Sequence, residues 1–161
     1  MPLLETGDKA PDFALVTDRG ETFQLSTQRG KPVVLEFYCE DDSGGCVIEN
    51  AEFSALAPEF ETLGVPVVGL SPQDVESHRK FALKYGFRQP LLADPELQAI
   101  KAYGLWEQKK LWGHEFMGVL RVTYLIDAEG KVAGVFRASR IKGHAQKVLD
   151  AARALVAASP R

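Results

Sequence analysis

Both cysteines of the 161-residue chain lie in one short segment, residues 38–49. Cys46 is predicted to lie in the first turn of a helix, three residues after the Ser43 hydroxyl and directly after Gly44 and Gly45. The free N–H groups and the helix dipole at such a position lower the pKa of a thiol. The two glycines let a small ligand approach the backbone closely. Cys46 is therefore predicted to be a thiolate nucleophile, which indicates thiol-based redox chemistry.

Charged residues elsewhere in the chain are candidates for activating this thiol. A cysteine with a pKa of about 8.5 is only about 3% thiolate at neutral pH, and a pKa of about 6 makes it roughly 90% thiolate. Glu49 lies one helical turn after Cys46 on the same face, and Arg121 directly precedes a predicted strand. A carboxylate could hold an arginine over the thiolate. Taken alone, each of these residues is also typical of a protein surface, and a buried, inert cysteine is the alternative for Cys46.

Composition and charge exclude several other classes of function. The chain is 45% hydrophobic and 25% charged, as in ordinary globular proteins. Its formal net charge of -3 argues against binding to nucleic acids or to membranes. The N-terminal residues show no basic segment followed by an apolar stretch, the pattern of a secretory signal, so a cytoplasmic location is expected. The three histidines, His78, His114 and His144, are far apart in the sequence and do not have the spacing of metal ligands, so no metal site is expected. No other cofactor is expected either.

Hydrophobic periodicity predicts an α/β protein with a mixed sheet, in one domain over residues 1–161. Cys46 follows a buried central strand, where sites in such sheets usually lie. Glu36 interrupts that strand, and a carboxylate there needs a partner or a route to water. The predicted strands cover residues 33–38, 65–70, 91–93, 119–126 and 131–137, with weaker ones near 13 and 23. The predicted helices cover residues 46–63, 72–85, 95–104 and the region from about 143 onward.

Several segments, taken together and in order, resemble the peroxiredoxins, in particular the bacterioferritin comigratory protein or Q-type group. The active-site pattern of that family is P-x-x-x-[ST]-x-x-C, and Cys39, Ser43 and Cys46 occupy its three defined positions. The resemblance covers nearly the whole chain. Other matching segments are residues 7–13, 69–71, 77–81, 84–85, 90–94, 102–104, 109–110 and 121–127.

The resemblance implies a thioredoxin-like fold with an N-terminal extension and a thiol-dependent peroxidase activity. Cys46 would be the peroxidatic cysteine, Ser43 would bind the peroxide, Arg121 would polarise it, and Glu49 would orient the arginine. The implied substrates are hydrogen peroxide and organic hydroperoxides. The thiolate would become a sulfenic acid, and thioredoxin or a similar thiol reductant would restore it. The resemblance favours a monomer, with a dimer as the alternative.

This chain departs from the family pattern at three positions. Cys39 replaces the proline, Ala51 stands where many members carry a resolving cysteine, and Glu36 replaces an aromatic residue. We hypothesise that Cys39 is the resolving cysteine, which requires its Cα within about 7 Å of that of Cys46 and modest unwinding of the first helical turn. The alternatives are a one-cysteine mechanism that uses an external thiol, and a role for Cys39 as a small apolar filler.

Other functions and substrate preferences stay open at this stage. The same residues would serve a peroxide sensor that passes oxidation to a partner protein. A thioredoxin-type exchanger is disfavoured because the chain has no C-x-x-C motif. Four apolar side chains could line the site and favour organic hydroperoxides, or they could belong to the core or to a dimer surface. They are Trp106, Leu111, Trp112 and Phe116.

Overall fold

The computed structural model describes residues 3–158, which contain nine strands and four α-helices. The strands are β1 (Ala14–Thr17), β2 (Thr22–Gln24), β3 (Val33–Phe37), β4 (Val67–Ser71), β5 (Leu91–Ala93), β6 (Trp106–Leu111), β7 (His114–Val119), β8 (Val122–Ile126) and β9 (Val132–Arg137). The helices are α1 (Gly44–Leu63), α2 (Val75–Tyr85), α3 (Gln98–Ala102) and α4 (His144–Ala158), and a 3-10 turn covers Leu25–Gln28. Within the described residues, no helix is both long and apolar enough to cross a membrane.

Seven of the strands form a mixed sheet in the order β2-β1-β5-β4-β3-β8-β9. Strand β3 lies inside this sheet, parallel to β4 and antiparallel to β8. All five of its residues are buried, because Val34 packs towards α1 and α4 while Leu35 and Phe37 pack on the opposite face. The predicted α/β class with a mixed sheet is confirmed.

Local signals account for the ends of the two helices closest to the site. Helix α1 starts after Ser43, whose backbone is extended, and ends at Gly64, which adopts a left-handed conformation with φ of 74°. Helix α2 starts after Asp74, whose carboxylate accepts a hydrogen bond from the Ser77 N–H, and ends at Gly86. The C-terminal ends of α1 and α2 agree with the sequence prediction. The starts of α2 and α3 were each placed three residues too early, because these helices begin at Val75 and Gln98 rather than at residues 72 and 95.

The hairpin of β6 and β7 was not predicted. These two strands pair only with each other and form a separate two-stranded sheet. Trp112 and Gly113 make the tight turn between them, with φ values of 54° and 80°. The prediction of one strand over residues 119–126 is therefore wrong, since Val119 ends β7 and a new strand starts at Val122. The polar composition of β6 and its mostly exposed side chains explain the missing signal.

Candidate active site

Cys46 lies in the first turn of α1, beside the carboxyl end of β3, and is only 1% exposed. The hydrogen bond with the Cys39 thiol and burial raise the pKa of Cys46, and the Ser43 hydroxyl and the backbone N–H groups of Glu40 and Cys39 lower it only in part. The Ser43 hydroxyl donates its one proton to the Glu40 carbonyl at 3.1 Å. The loop before α1 therefore offers the sulfur its backbone N–H donors.

Cys39 follows β3 directly, is half-buried and packs in the same cluster as Cys46. Its Sγ donates a hydrogen bond to the Val119 carbonyl at 3.2 Å and accepts one from Lys109 Nζ at 3.4 Å. Both of these partners come from the unpredicted hairpin. Sequence reasoning missed Lys109, and the only signal for it was a family-like lysine pair at residues 109–110.

The two thiols share their ionisation. A hydrogen bond with the Cys46 thiol lowers the pKa of Cys39 to about 6 against the effect of burial, with help from the charges of Lys109 and Arg121. The same interaction and burial raise the pKa of Cys46. Because two adjacent thiolates would repel each other, the pair loses one proton below neutral pH and keeps the second. The site therefore holds one thiolate charge between its two sulfurs.

Arg121 lies directly before β8, and its guanidinium group packs on Gly45 of α1. A Cβ atom on Gly45 would lie 2.5 Å from Arg121 Nη1 and 2.8 Å from Ile141 Cδ1, so only glycine leaves room. Arg121 Nη1 is buried and has no hydrogen-bond partner within residues 3–158. An unpaired cationic donor beside a thiolate and a helix N-terminus can bind an oxygen atom that gains negative charge.

Substituting Gly45 with alanine is expected to lower kcat/KM for peroxide roughly 10²-fold, because a misplacement of about 1 Å costs that much. The added methyl group must displace the Arg121 guanidinium, while alanine at a helical position stabilises the helix itself. Gly44→Ala is the matched control, since a Cβ atom at Gly44 meets nothing within 4 Å. Steady-state kinetics of both variants test this expectation, and equal rates for the two would contradict it.

Glu49 is 1% exposed, and neither of its carboxylate oxygens has a hydrogen-bond partner within residues 3–158. Burial and the charge of Cys46 raise its pKa to about 8, and Arg121 lowers it only in part. No ion pair of Glu49 with Arg121 forms within the described residues, so the two groups act on each other at longer range. The orienting role of Glu49 stays a prediction.

His144 lies 3.5 Å from Glu49, yet the two groups do not form an ion pair at neutral pH. Burial, with Lys147 and Arg121, lowers the pKa of His144 to about 4, so the ring is neutral. The pKa of Glu49, about 8, leaves its carboxyl mostly protonated. The His144 Nε2 atom is instead hydrogen-bonded to Thr123 Oγ1 at 2.8 Å. The contact is therefore between two uncharged side chains.

Glu36 has neither the partner nor the route to water that a carboxylate in β3 was expected to need. It is 0% exposed, and both of its oxygens lack a hydrogen-bond partner within residues 3–158. It pairs in register with Gly69 of β4, where a Cβ atom would lie 3.2 Å from Glu36 Oε1. Burial, Glu49 and Cys46 raise its pKa well above the ordinary range. Glu36 is therefore a neutral, buried acid.

The loop between β3 and α1 is tied to α2 by a network that sequence reasoning did not assign. Asp41 accepts hydrogen bonds from the Tyr38 and Ser77 hydroxyls, each at 2.7 Å, and lies 2.8 Å from His78 Nδ1. Asp42 has a φ of 61° and accepts a hydrogen bond from Lys84 Nζ at 2.7 Å. The only signal was the family-like segment 77–81. These contacts fix the loop that carries Cys39.

The aromatic and apolar side chains considered for the site lie mostly outside it. Trp106 packs against the main core cluster, whereas Leu111, Trp112 and Phe116 are exposed on the hairpin. The hairpin contributes Lys109 and the Val119 carbonyl to the site instead. Within residues 3–158, no three His, Cys, Asp or Glu side chains are grouped as a metal site would require.

Comparisons with known proteins agree with a thiol site of this kind. Residues 6–135 match the model of the AhpC/TSA family. The chain is 39% identical over 150 residues to a putative peroxiredoxin of Helicobacter pylori, covering 93% of this chain and 99% of that one. It is also 39% identical over 147 residues to peroxiredoxin Bcp of Bacillus subtilis, covering 91% and 94%. The chain belongs to the AhpC/TSA family.

Solved structures place this peroxiredoxin in the Bcp or Q-type group. The bacterioferritin comigratory protein of Xanthomonas campestris matches with a TM-score of 0.87 and 31% identity, covering 94% of this chain and 99% of that one. A cysteine-to-serine mutant of peroxiredoxin Q from Xylella fastidiosa matches with a TM-score of 0.89 and 29% identity, covering 96% and 98%. The predicted thioredoxin-like fold is confirmed. This peroxiredoxin is a thiol-dependent peroxidase.

Proposed function

We propose that this peroxiredoxin reduces hydrogen peroxide and alkyl hydroperoxides through Cys46 and forms an intramolecular disulfide with Cys39 as the resolving cysteine. The observation that carries the proposal is that both thiols of the chain lie in one buried cluster, where each shifts the pKa of the other. The unpaired donor of Arg121 lies over the same helix N-terminus.

In the first half of the reaction, Cys39 and Cys46 exchange a proton. The Cys39 thiolate takes the proton of Cys46, and the Cys46 thiolate attacks the terminal oxygen of the peroxide. An S–O bond forms, the O–O bond breaks, and the leaving alkoxide takes from Cys39 the proton that came from Cys46. The products are an alcohol, a Cys46 sulfenic acid and a Cys39 thiolate. Ser43 and Arg121 bind the peroxide oxygens during this step.

In the second half, the Cys39 thiolate attacks the sulfur of the Cys46 sulfenic acid. The S–S bond forms, the S–O bond breaks, and hydroxide leaves as water after taking a proton from solvent. Cys39 is oxidised, and Cys46 is reduced from a sulfenic acid to a disulfide sulfur. The position of both thiols in one cluster supports this step.

The remaining parts of the proposal concern substrate, reductant and setting. Alkyl peroxide reduction is described for the bacterioferritin comigratory protein of Xanthomonas campestris, and its similarity to this chain supports the alkyl hydroperoxide substrate. A dithiol protein such as thioredoxin would reduce the disulfide, since it can attack one sulfur and then close on itself. A reducing compartment such as the cytoplasm supplies those electrons. A monomer is sufficient, because both cysteines come from one chain.

The test is the intact mass of the non-reduced protein after one equivalent of hydrogen peroxide. The unmodified chain is expected to lose about 2 Da, recovered with dithiothreitol. Cys39→Ser is expected to gain about 16 or 32 Da instead, as Cys46 stops at the sulfenic or sulfinic acid. It should also lose turnover with thioredoxin. Unchanged turnover of Cys39→Ser would overturn the resolving role and leave a one-cysteine mechanism with an external thiol.

A further inference from the structure

The sulfur of Cys39 is held by both strands of the β6–β7 hairpin. Lys109 in β6 donates from Nζ to Cys39 Sγ at 3.4 Å, and the carbonyl of Val119 in β7 accepts from the same sulfur at 3.2 Å. The aliphatic part of Lys109 lies over Gly118, where a Cβ atom would be 3.0 Å from Lys109 Cδ. Gly118 therefore leaves room for this side chain to cross its strand and reach the thiol.

Lys109 has no other described partner that would explain its position. It is half-buried, whereas its neighbour Lys110 is exposed. No carboxylate lies within ion-pair distance of its Nζ atom among residues 3–158, although the hairpin also carries Glu107 and Glu115. A half-buried ammonium group directed at a thiol favours the thiolate, whereas the hydrogen bond to the Val119 carbonyl is made by the S–H form and is lost when Cys39 ionises.

We propose that Lys109 is a catalytic residue of the resolving step, with its ammonium group holding Cys39 as a thiolate next to Cys46. This inference rests on the resolving role proposed for Cys39. Lys109 acts through its charge and takes no part in proton transfer. Its ammonium group pairs with the Cys39 thiolate until the S–S bond forms and the negative charge leaves with hydroxide. It pairs with the same thiolate again when a dithiol opens the disulfide.

The size of the effect follows from the thiolate fraction. The charge of Lys109 contributes to the lowered pKa of Cys39, which is about 6. The hydrogen bond with Cys46 is a larger cause than Lys109, so a complete return to an ordinary pKa of about 8.5, which would reduce the thiolate fraction at pH 7 about thirtyfold, is the upper limit of the effect. A more basic thiolate is a better nucleophile, which offsets part of this loss. Resolution at pH 7 is therefore expected to slow about tenfold in Lys109→Met.

The experiment follows the conversion of Cys46 sulfenic acid to disulfide, with rapid mixing, acid quench and intact mass. One equivalent of hydrogen peroxide is added to the reduced full-length chain and to the variants at several pH values. Lys109→Met should accumulate the sulfenic species at pH 7 and recover the unmodified rate above pH 9. Lys109→Arg should stay near the unmodified rate, because it keeps the charge. Lys110→Met is the matched control and should resolve normally.

Two results separate this inference from the function on which it rests. If Cys39→Ser blocks disulfide formation while Lys109→Met resolves at the unmodified rate and pH profile, the role of Lys109 is wrong and the resolving cysteine stands. If Cys39→Ser has no effect, the resolving role itself fails. Should Lys109→Met not fold, as judged by circular dichroism, Lys109→Gln carries the same test. A rate loss that does not recover at high pH would indicate a structural role and overturn the inference.

Discussion

Replacing Cys46 with serine is expected to abolish peroxide reduction, with a loss in kcat/KM of roughly 10⁴-fold or more, as in other enzymes without their nucleophile. The result is not trivial, because Cys39 is the more exposed thiol and has the lower pKa. Cys46, however, is the sulfur that contacts Ser43 and the loop N–H groups. The low pKa of Cys39 also depends first on Cys46, so Cys46→Ser should raise it.

Peroxide consumed per mole of protein in a single rapid-mixing turnover, without reductant, distinguishes the two thiols. Cys39→Ser is the control and should still consume about one equivalent at a rate similar to that of the unmodified protein. Cys46→Ser should consume none on the same time scale. The opposite pattern, with a burst in Cys46→Ser and none in Cys39→Ser, would assign the peroxidatic role to Cys39.

Replacing Glu36 with leucine is expected to stabilise the reduced protein, by about 1–3 kcal/mol at pH 5, because it removes a buried polar group without a partner. The gain should grow as the pH rises. The folded-state pKa of Glu36 lies well above its ordinary value of 4.5, so the folded chain binds more protons than the unfolded chain above that pH. The contribution of the Glu36 carboxyl to stability is therefore fully present below about pH 4.5 and is lost as the pH rises towards its folded-state pKa.

The Glu49 carboxyl also lowers the stability of the folded protein as the pH rises from its ordinary pKa of 4.5 to its folded-state pKa of about 8. One pKa unit corresponds to about 1.4 kcal/mol, so this carboxyl contributes a loss on the order of 5 kcal/mol by pH 8. His144 and Cys39 act in the opposite direction, because their folded-state pKa values lie below the ordinary ones. The effect of Glu36 is therefore the difference in stability between Glu36→Leu and the unmodified protein at each pH, and this difference should grow from pH 5 to pH 8.

Urea unfolding of the reduced proteins at pH 5, 6.5 and 8 measures both effects. Glu61→Leu is the control, since it makes the same substitution at an exposed position of α1; it should change stability by less than about 0.5 kcal/mol. A Glu36→Leu variant that is less stable than the unmodified protein at pH 8 would contradict the prediction. It would mean that Glu36 makes a favourable interaction that its unpaired oxygens do not reveal.

The order of strands and helices around the site could be predicted from the sequence, because those signals are local. The apolar run at residues 33–38 indicated a strand covered on both faces, and Gly86 marked the end of α2 through its own backbone preference. The position of Cys46 after that strand, at the start of α1, followed from the same signals. The types and spacing of Ser43 and Cys46 indicated thiol redox chemistry, and the resemblance to the peroxiredoxins implied a peroxidase.

Contacts between distant segments could not be predicted, because a local pattern records that a residue is buried and not what it faces. Lys109 reaches Cys39 through a polar, exposed hairpin that has no strand periodicity. Arg121 packs on Gly45 because the start of β8 lies beside the start of α1. The sequence showed a carboxylate in β3, whereas the packing of β4 and α1 buried Glu36 with no hydrogen-bond partner among residues 3–158. Charges in this site act through space, so the pKa values of its acids depend on the folded arrangement.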